Sequence, residues 1–272
     1  MKILISNDDG IAAQGIKALI GNLSKEGHEV YVVAPDRERS AAGHSLTLHS
    51  PIRVEELESQ YGAKRVWVTN GTPGDCVKIA ICSLLAQNEL PDIVISGINH
   101  GPNLGQDILY SGTVSCALEA AMLNYPSIAV SLSSMSIDSA YFNSTAKFVC
   151  RLLPKLENIV FPKNSILNIN APALEEEDIA GIEITKLGTK MFTNNYDKRI
   201  DPRGKVYYWM AGELTSKHEE DGTDIAAVRA NRISITPVTF EMTHQNVMAE
   251  LEQELCKNGK CSWYGYEALK GV

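Results

Sequence analysis

Apolar and polar positions switch between two periods along the first half of the chain. Lys2 to Ser6 is a short apolar run, Ile16, Leu19, Ile20 and Leu23 recur at i, i+3, i+4 and i+7, and Glu29 to Ala34 is apolar again. Those spacings predict a strand, a helix with one buried face and a second strand, which is a βαβ unit and the start of a parallel sheet. The pattern recurs with a strand at Arg65 to Thr69 and a helix bearing Val77, Ala80, Ile81, Leu84 and Leu85. A strand at Asp92 to Ser96, a helix bearing Val114, Ala117, Leu118, Ala121 and Met122, and a strand at Ser127 to Leu132 follow. The expected fold class is α/β with a doubly wound, mostly parallel sheet.

The regularity weakens past about residue 135. A helix at Ala140 to Leu153 and a strand at Ile166 to Asn170 finish the sheet, and Lys190 to Glu213 reads as a long hairpin around Asp197 to Gly204. Its arms carry Phe192, Tyr196, Tyr207, Tyr208 and Trp209, which either pack on the body or meet a second subunit. A short helix precedes the strand Ile233 to Thr236, and Gln245 to Cys256 is a C-terminal helix with Val247, Leu251 and Leu255 on one face. No repeat, low-complexity tract or Gly/Ser linker marks a boundary. The expectation is one domain over 1–272, with a catalytic core at 1–135 and residues 136–272 adding sheet strands, the hairpin and the last helix.

Charge narrows the function classes. With 25 Lys+Arg against 33 Asp+Glu the net charge is -8, which disfavours a nucleic-acid polymer as the main ligand. No window approaches the roughly 18 apolar residues of a membrane span, and the opening run meets Asn7, Asp8 and Asp9 too soon for a signal peptide. A cytoplasmic protein without a membrane partner is expected. The six cysteines lack zinc spacing; Cys76, Cys82 and Cys116 read as small core residues, reduced thiols are the default, and Cys256 and Cys261, flanking Lys257 to Lys260, are the pair open to a redox link.

The candidate chemistry gathers where strands end, since ligands of open α/β sheets lie off the carboxyl ends of the strands. Asn7-Asp8-Asp9-Gly10 follows the first strand, and Asp36 to Ser45 the second. Asn70 to Asp75 follows the third and Ser96 to Gly105 the fourth. Asp8 and Asp9 are either an Asx turn capping the next helix or a pair that needs a cation. Two carboxylates with a hydroxyl and an amide carbonyl suit Mg²⁺ or Mn²⁺, and Ser40 and Asn99 are the nearest such donors. Thr72-Pro73-Gly74-Asp75 reads first as a helix N-cap. Ser111, Gly112 and Thr113 open the Val114 helix and form an anion cradle of phosphate type. His44 and His100 lie in these loops without a nucleophile elbow, and neither a P-loop nor a dinucleotide fingerprint is present.

These segments resemble the SurE family of metal-dependent 5′-nucleotidases. The resemblance runs through Asn7 to Gly10, Ala34 to Gly43, Thr69 to Val77, Ser96 to Gly105, Tyr110 to Ser115, Thr223 to Val228 and Ile233 to Pro237, so it spans nearly the whole chain in order. It implies a Rossmann-like core whose C-terminal region exchanges between subunits, as a homodimer or homotetramer. It also implies one divalent ion per subunit held by Asp8, Asp9, Ser40 and Asn99. The implied activity is hydrolysis of nucleoside 5′-monophosphates, with 3′-monophosphates and short polyphosphates also accepted. Ser111, Gly112 and Thr113 then hold phosphate, Asn7 and Asn103 are outer-shell or phosphate donors, and Asp8 or Asp9 is the candidate to take a proton from water. Cys116 stands where the family tends to have Ala or Gly. The rival reading is a non-catalytic module that senses a nucleotide or phosphate through the same cradle.

Overall fold

The structure, a computed structural model, describes residues 1–134, 140–189, 195–212, 219–257 and 260–261. Two units emerge, Met1–Thr239 and Phe240–Val272. In the first, β1 (Lys2–Ser6), α1 (Gln14–Lys25) and β2 (Glu29–Pro35) form the expected βαβ unit, followed by β3 (Val54–Leu57), β4 (Arg65–Thr69) and α2 (Pro73–Ile79). Then come β5 (Ile93–His100), α3 (Gly112–Met122), β6 (Ser127–Ser133), α4 (Ala140–Leu156), β7 (Ser165–Pro172) and β8 (Gly181–Ile184). The hairpin β9 (Tyr196–Ile200) and β10 (Val206–Met210), the short α5 (Asp224–Arg229) and β11 (Arg232–Thr239) complete the unit.

Among the described residues the main sheet runs β3-β4-β2-β1-β5-β6-β7-β11-β8. Every neighbouring pair from β4 through β7 is parallel, whereas β3 pairs antiparallel with β4 and β11 antiparallel with β7. The fold is thus the α/β, mostly parallel, doubly wound sheet expected. From β1 the chain winds outward through β2 to β4, then returns to β5 and winds the other way. The order reverses between β1 and β5, and such a reversal leaves a crevice at the strand ends.

Alternation along β1 builds the core on both faces. Ile3 and Ile5 join Ile16, Leu19 and Leu23 of α1 and Phe148, Val149 and Leu153 of α4 in one cluster. Leu4 faces the other side with Val33, Trp67, Cys76, Val77 and Cys116. A period of two distributes one apolar run over two layers, which is why the run carries no polar residue until it ends at Ser6. Gly15 seats α1 hard against the sheet: a Cβ there would lie 1.9 Å from the Ile98 carbonyl oxygen.

Four expectations change. β5 continues through Asn99 and His100, so the irregular stretch beyond it is shorter than the sequence suggests and holds a 3-10 turn at Gly105–Tyr110. The helix after β4 passes into a π turn at Ala80–Leu84, which turns Cys82 out into solvent; Cys82 is not a core residue. β3 and β8 are additional edge strands, short and without a buried apolar face. On the hairpin, Tyr196, Tyr207, Tyr208 and Trp209 are exposed, so they do not pack on the body; Phe192 lies outside the described residues.

The second unit contains α6 (Gln245–Leu255), whose Val247, Leu251 and Leu255 are exposed, and the two-residue strands β12 (Cys256–Lys257) and β13 (Lys260–Cys261). Cys256 and Cys261 face each other in the antiparallel register. Among the described residues, no helix is long and apolar enough to cross a membrane.

Candidate active site

The crevice between β1 and β5 is lined first by the turn after β1. Asn7, fully buried, donates from Nδ2 to the Gly10 carbonyl at 3.0 Å and accepts the Gly10 N–H on Oδ1 at 3.2 Å. This clamp fixes Asp8 and Asp9 between its jaws. Gly10 has φ +92, and a Cβ there would meet the Arg37 backbone at 3.0 Å, so only glycine lets the turn close under the β2 loop.

Asp8 is buried and its Oδ1 accepts the Thr113 hydroxyl proton. Burial pushes its carboxyl up to about 6; the Thr113 hydroxyl holds it back, and the neighbouring Asp9 charge pushes further. Asp9 is half-buried, and its Oδ2 accepts the His100 N–H at 2.9 Å. Its carboxyl is likewise raised, first by burial, with the Glu38 charge adding to the push and the His100 N–H and ring opposing it. Among the described residues no lysine, arginine or histidine forms an ion pair with either acid.

The helix beyond completes one wall. Ser111 caps α3 by accepting the Val114 N–H at 3.1 Å, and the Ser115 hydroxyl donates to its carbonyl at 2.6 Å. A Cβ on Gly112 would sit 2.7 Å from Asp8 Cβ and 2.8 Å from Asp8 Oδ2. The missing side chain is what lets the helix start, with its outward N–H groups, reach the carboxylate. Asp8, Gly112 and Thr113 therefore meet, and Asp9 turns to the His100 N–H instead.

Other predicted residues are placed differently. Ser40 is exposed, and its hydroxyl donates to Glu38 at 2.7 Å rather than to the acid pair. Asn99 is half-buried on β5 and donates to the Gly101 carbonyl at 2.9 Å, which leaves its own side-chain carbonyl as an oxygen donor. Asn103 is buried in an amide network. Its Nδ2 donates to Ser131 Oγ at 2.8 Å, its N–H to Asn170 Oδ1 at 2.8 Å, and its carbonyl accepts from Asn168 at 2.8 Å and Asn170 at 2.9 Å. The asparagine expected near phosphate thus anchors its loop to β6 and β7. Thr72 caps α2 reciprocally with Asp75, as its sequence context predicts.

The donor set fits a hard divalent cation. One buried and one half-buried carboxylate, both with raised pKa values and no ion pair among the described residues, stand beside the further negative charge of Glu38, so the turn carries charge that a cation would offset.

The family model described as "Survival protein SurE" matches residues 3–194 of this chain. The chain belongs to the SurE family. It is 48% identical over 260 residues to a 5′-nucleotidase SurE of Thermosynechococcus vestitus, covering 94% of this chain and 97% of that protein. To a 5′-nucleotidase SurE of Carboxydothermus hydrogenoformans it is 47% identical over 253 residues, covering 93% and 95%. Among solved structures it is similar to the SurE protein of Aquifex aeolicus, at 40% identity and a TM-score of 0.80, covering 93% of this chain and 98% of that one.

Three residues around the crevice escape a reading of motifs. Glu38 lies close enough to Asp9 to raise its pKa, and only its place two residues before Ser40 hints at that. Asn168 and Asn170, at i and i+2 on β7, carry the network beneath the crevice; two asparagines on one face of an apolar strand are the signal.

Proposed function

We propose that this chain hydrolyses nucleoside 5′-monophosphates to nucleoside and phosphate, as its relatives' name, 5′-nucleotidase, states of them. The observation that carries the site assignment is the adjacent acid pair, with no ion pair among the described residues and with Asp8 buried against the start of α3 at the sheet's reversal point. Asp8 and Asp9 supply the two charged oxygen ligands of one divalent ion, Mg²⁺ or Mn²⁺, and Ser40 and Asn99 are the neutral ligands. When bound, that ion neutralises phosphate charge and lowers the pKa of a water molecule.

The chain's own groups do the rest. Ser111 and Gly112 present the helix start to the phosphate, and Thr113 acts one step removed, holding Asp8 Oδ1 through its hydroxyl. Asn7 sets the direction of both carboxylates by clamping the turn. Asp9, nearer to solvent than Asp8, is the better placed to receive a proton from water. Asn103 contributes by fixing the loop after β5. The exposed aromatic hairpin β9–β10 is a subunit contact of a homodimer or homotetramer, since Tyr196, Tyr208 and Trp209 are each at least 59% exposed.

Phosphate release from a panel of 5′- and 3′-monophosphates and short polyphosphates, with Mg²⁺ or Mn²⁺ and again with chelator, tests this reading. The expected outcome is metal-dependent release that favours 5′-monophosphates. Tight nucleotide binding without release would overturn it.

A further inference from the structure

The loop from Asp36 to Ser50 carries Glu38 and Ser40, and a few contacts set its path. At its start the Arg39 N–H donates to the Asp8 carbonyl at 2.7 Å. Past Ser40, the Gly43 N–H donates to the Tyr110 carbonyl at 3.1 Å, and His44 Nε2 lies 3.0 Å from Oε2 of Glu119. Farther on, Thr72 Oγ1 donates to the Ser45 carbonyl at 2.7 Å and the Thr47 N–H meets both Asp75 oxygens at 3.1 Å. Ser40 thus sits in a short span between an anchor at Arg39 and the pair of anchors at Gly43 and His44. Ala41 (φ +55) and Gly43 (φ +56) both take the left-handed conformation, which an alanine adopts only when its surroundings impose it.

Glu119 is an unusual anchor. It lies on α3, six residues after Thr113 and so about 9 Å along the helix that holds Asp8, and it is 2% exposed. Its other oxygen already meets a cation, Lys78 Nζ of α2 at 2.7 Å. Neutralising the buried charge therefore does not require His44. What His44 adds is a link from α3 to the loop itself.

We propose that Glu119 is a positioning residue for the metal site: through His44 it fastens the loop to α3, and so sets where the Ser40 hydroxyl and Glu38 carboxylate stand relative to Asp8 and Asp9. This rests on the assignment of Ser40 to the metal shell. Without the latch, the strained turn at Ala41 relaxes and Ser40 moves out of reach. Groups that orient a metal's ligands are worth about 10- to 100-fold in affinity.

The test compares Ser40→Ala, His44→Ala, His44→Gln and Lys78→Met in the full chain. Mn²⁺ affinity is read from the spin-resonance signal of free Mn²⁺, and loop order from tryptic cleavage after Arg37 and Arg39. Ser40→Ala and His44→Ala both weaken Mn²⁺ binding by about tenfold or more. Only His44→Ala also speeds loop cleavage, and His44→Gln, which keeps a donor to Glu119, recovers most of both. Lys78→Met lowers the melting temperature but keeps wild-type Mn²⁺ affinity. Unchanged affinity in Ser40→Ala overturns the ligand assignment beneath the proposal. Weak binding in Ser40→Ala with wild-type binding in His44→Ala overturns the latch. A loss in Lys78→Met as large as in His44→Ala makes Glu119 a merely structural acid, and overturns it too.

Discussion

Asp8 and Glu119 are both shut away from solvent, one packed against the start of α3 and the other carried on that helix, yet the fold treats them oppositely. Glu119 is gripped by Lys78 and His44, and the His44 bond above all holds its carboxyl below the usual range. Asp8 meets only the neutral groups of Thr113 and stands beside a second acid, and its carboxyl rises to about 6. A buried charge with its partners supplied stabilises or nearly breaks even, whereas one without them costs several kcal/mol in principle. A third acid, Asp224, is buried among the N–H groups of Gly105, Gly188 and Ile225, with no ion pair among the described residues. Burial without a cation is therefore not the distinguishing mark of the site. The mark is the second carboxylate, since two adjacent acids cannot both be satisfied by neutral donors.

The strongest way to break the contrast is to neutralise one of the pair. Asp9→Asn is expected to lower Mn²⁺-dependent phosphate release from a nucleoside 5′-monophosphate by about 10²- to 10³-fold or more, with the fold intact by circular dichroism. Full activity would show that the pair waits for nothing. Next comes Gly112→Ala, whose Cβ would lie 2.7 Å from Asp8 Cβ. Overpacking of this kind costs about 1–3 kcal/mol, and here it also pushes Asp8 or the helix start aside. Denaturant midpoints and the metal requirement should both worsen; wild-type values in both would show slack where the structure has none. Glu119→Gln keeps the shape but removes the charge shared by Lys78 and His44. Because the Lys78 and His44 side chains are 46% and 32% exposed, the expected loss of stability is about 1–2 kcal/mol, less than for a fully buried pair.

The sequence makes one acid of this comparison visible and hides the other. Asp8 stands at the end of an apolar run, where a carboxylate pair interrupts the pattern, and the central strands are legible for the same reason: each is buried on both faces and reads as an unbroken apolar stretch. Glu119 sits in the middle of an apolar helix, and nothing local shows that Lys78, 41 residues earlier, and His44, 75 residues earlier, come to meet it. The edge strands β3 and β8 are illegible because they bury too little to need a pattern. Asn103 and Ser40 stand out in the sequence by the loops that carry them, but that the amide meets Ser131 on β6 and the hydroxyl meets Glu38 depends on the fold. Spacing along the chain carries no such information.

The smallest effect is also the most direct measure of how Asp8 and Glu119 differ. A carboxyl whose pKa is raised on folding contributes stability that is fully present below its unfolded value and lost as pH rises through its folded value. For Asp8 that window runs from the ordinary 3.8 to about 6. The shift corresponds to roughly 3 kcal/mol at most, and relaxation of the turn should leave about 1–2 kcal/mol. Glu119, whose pKa is lowered, contributes in the other direction: its stability is present above the unfolded value of 4.5 and lost as pH falls through the folded value. Chelator-treated wild type and Asp8→Asn, unfolded in urea at a series of pH values, should therefore diverge between about pH 4 and 7, with the variant the more stable at the upper end. Saturating Mn²⁺ should close the gap or reverse it, because the ion favours the carboxylate that the empty crevice disfavours. Parallel curves without metal would mean that Asp8 is as well compensated as Glu119, and the contrast between the two acids would fall.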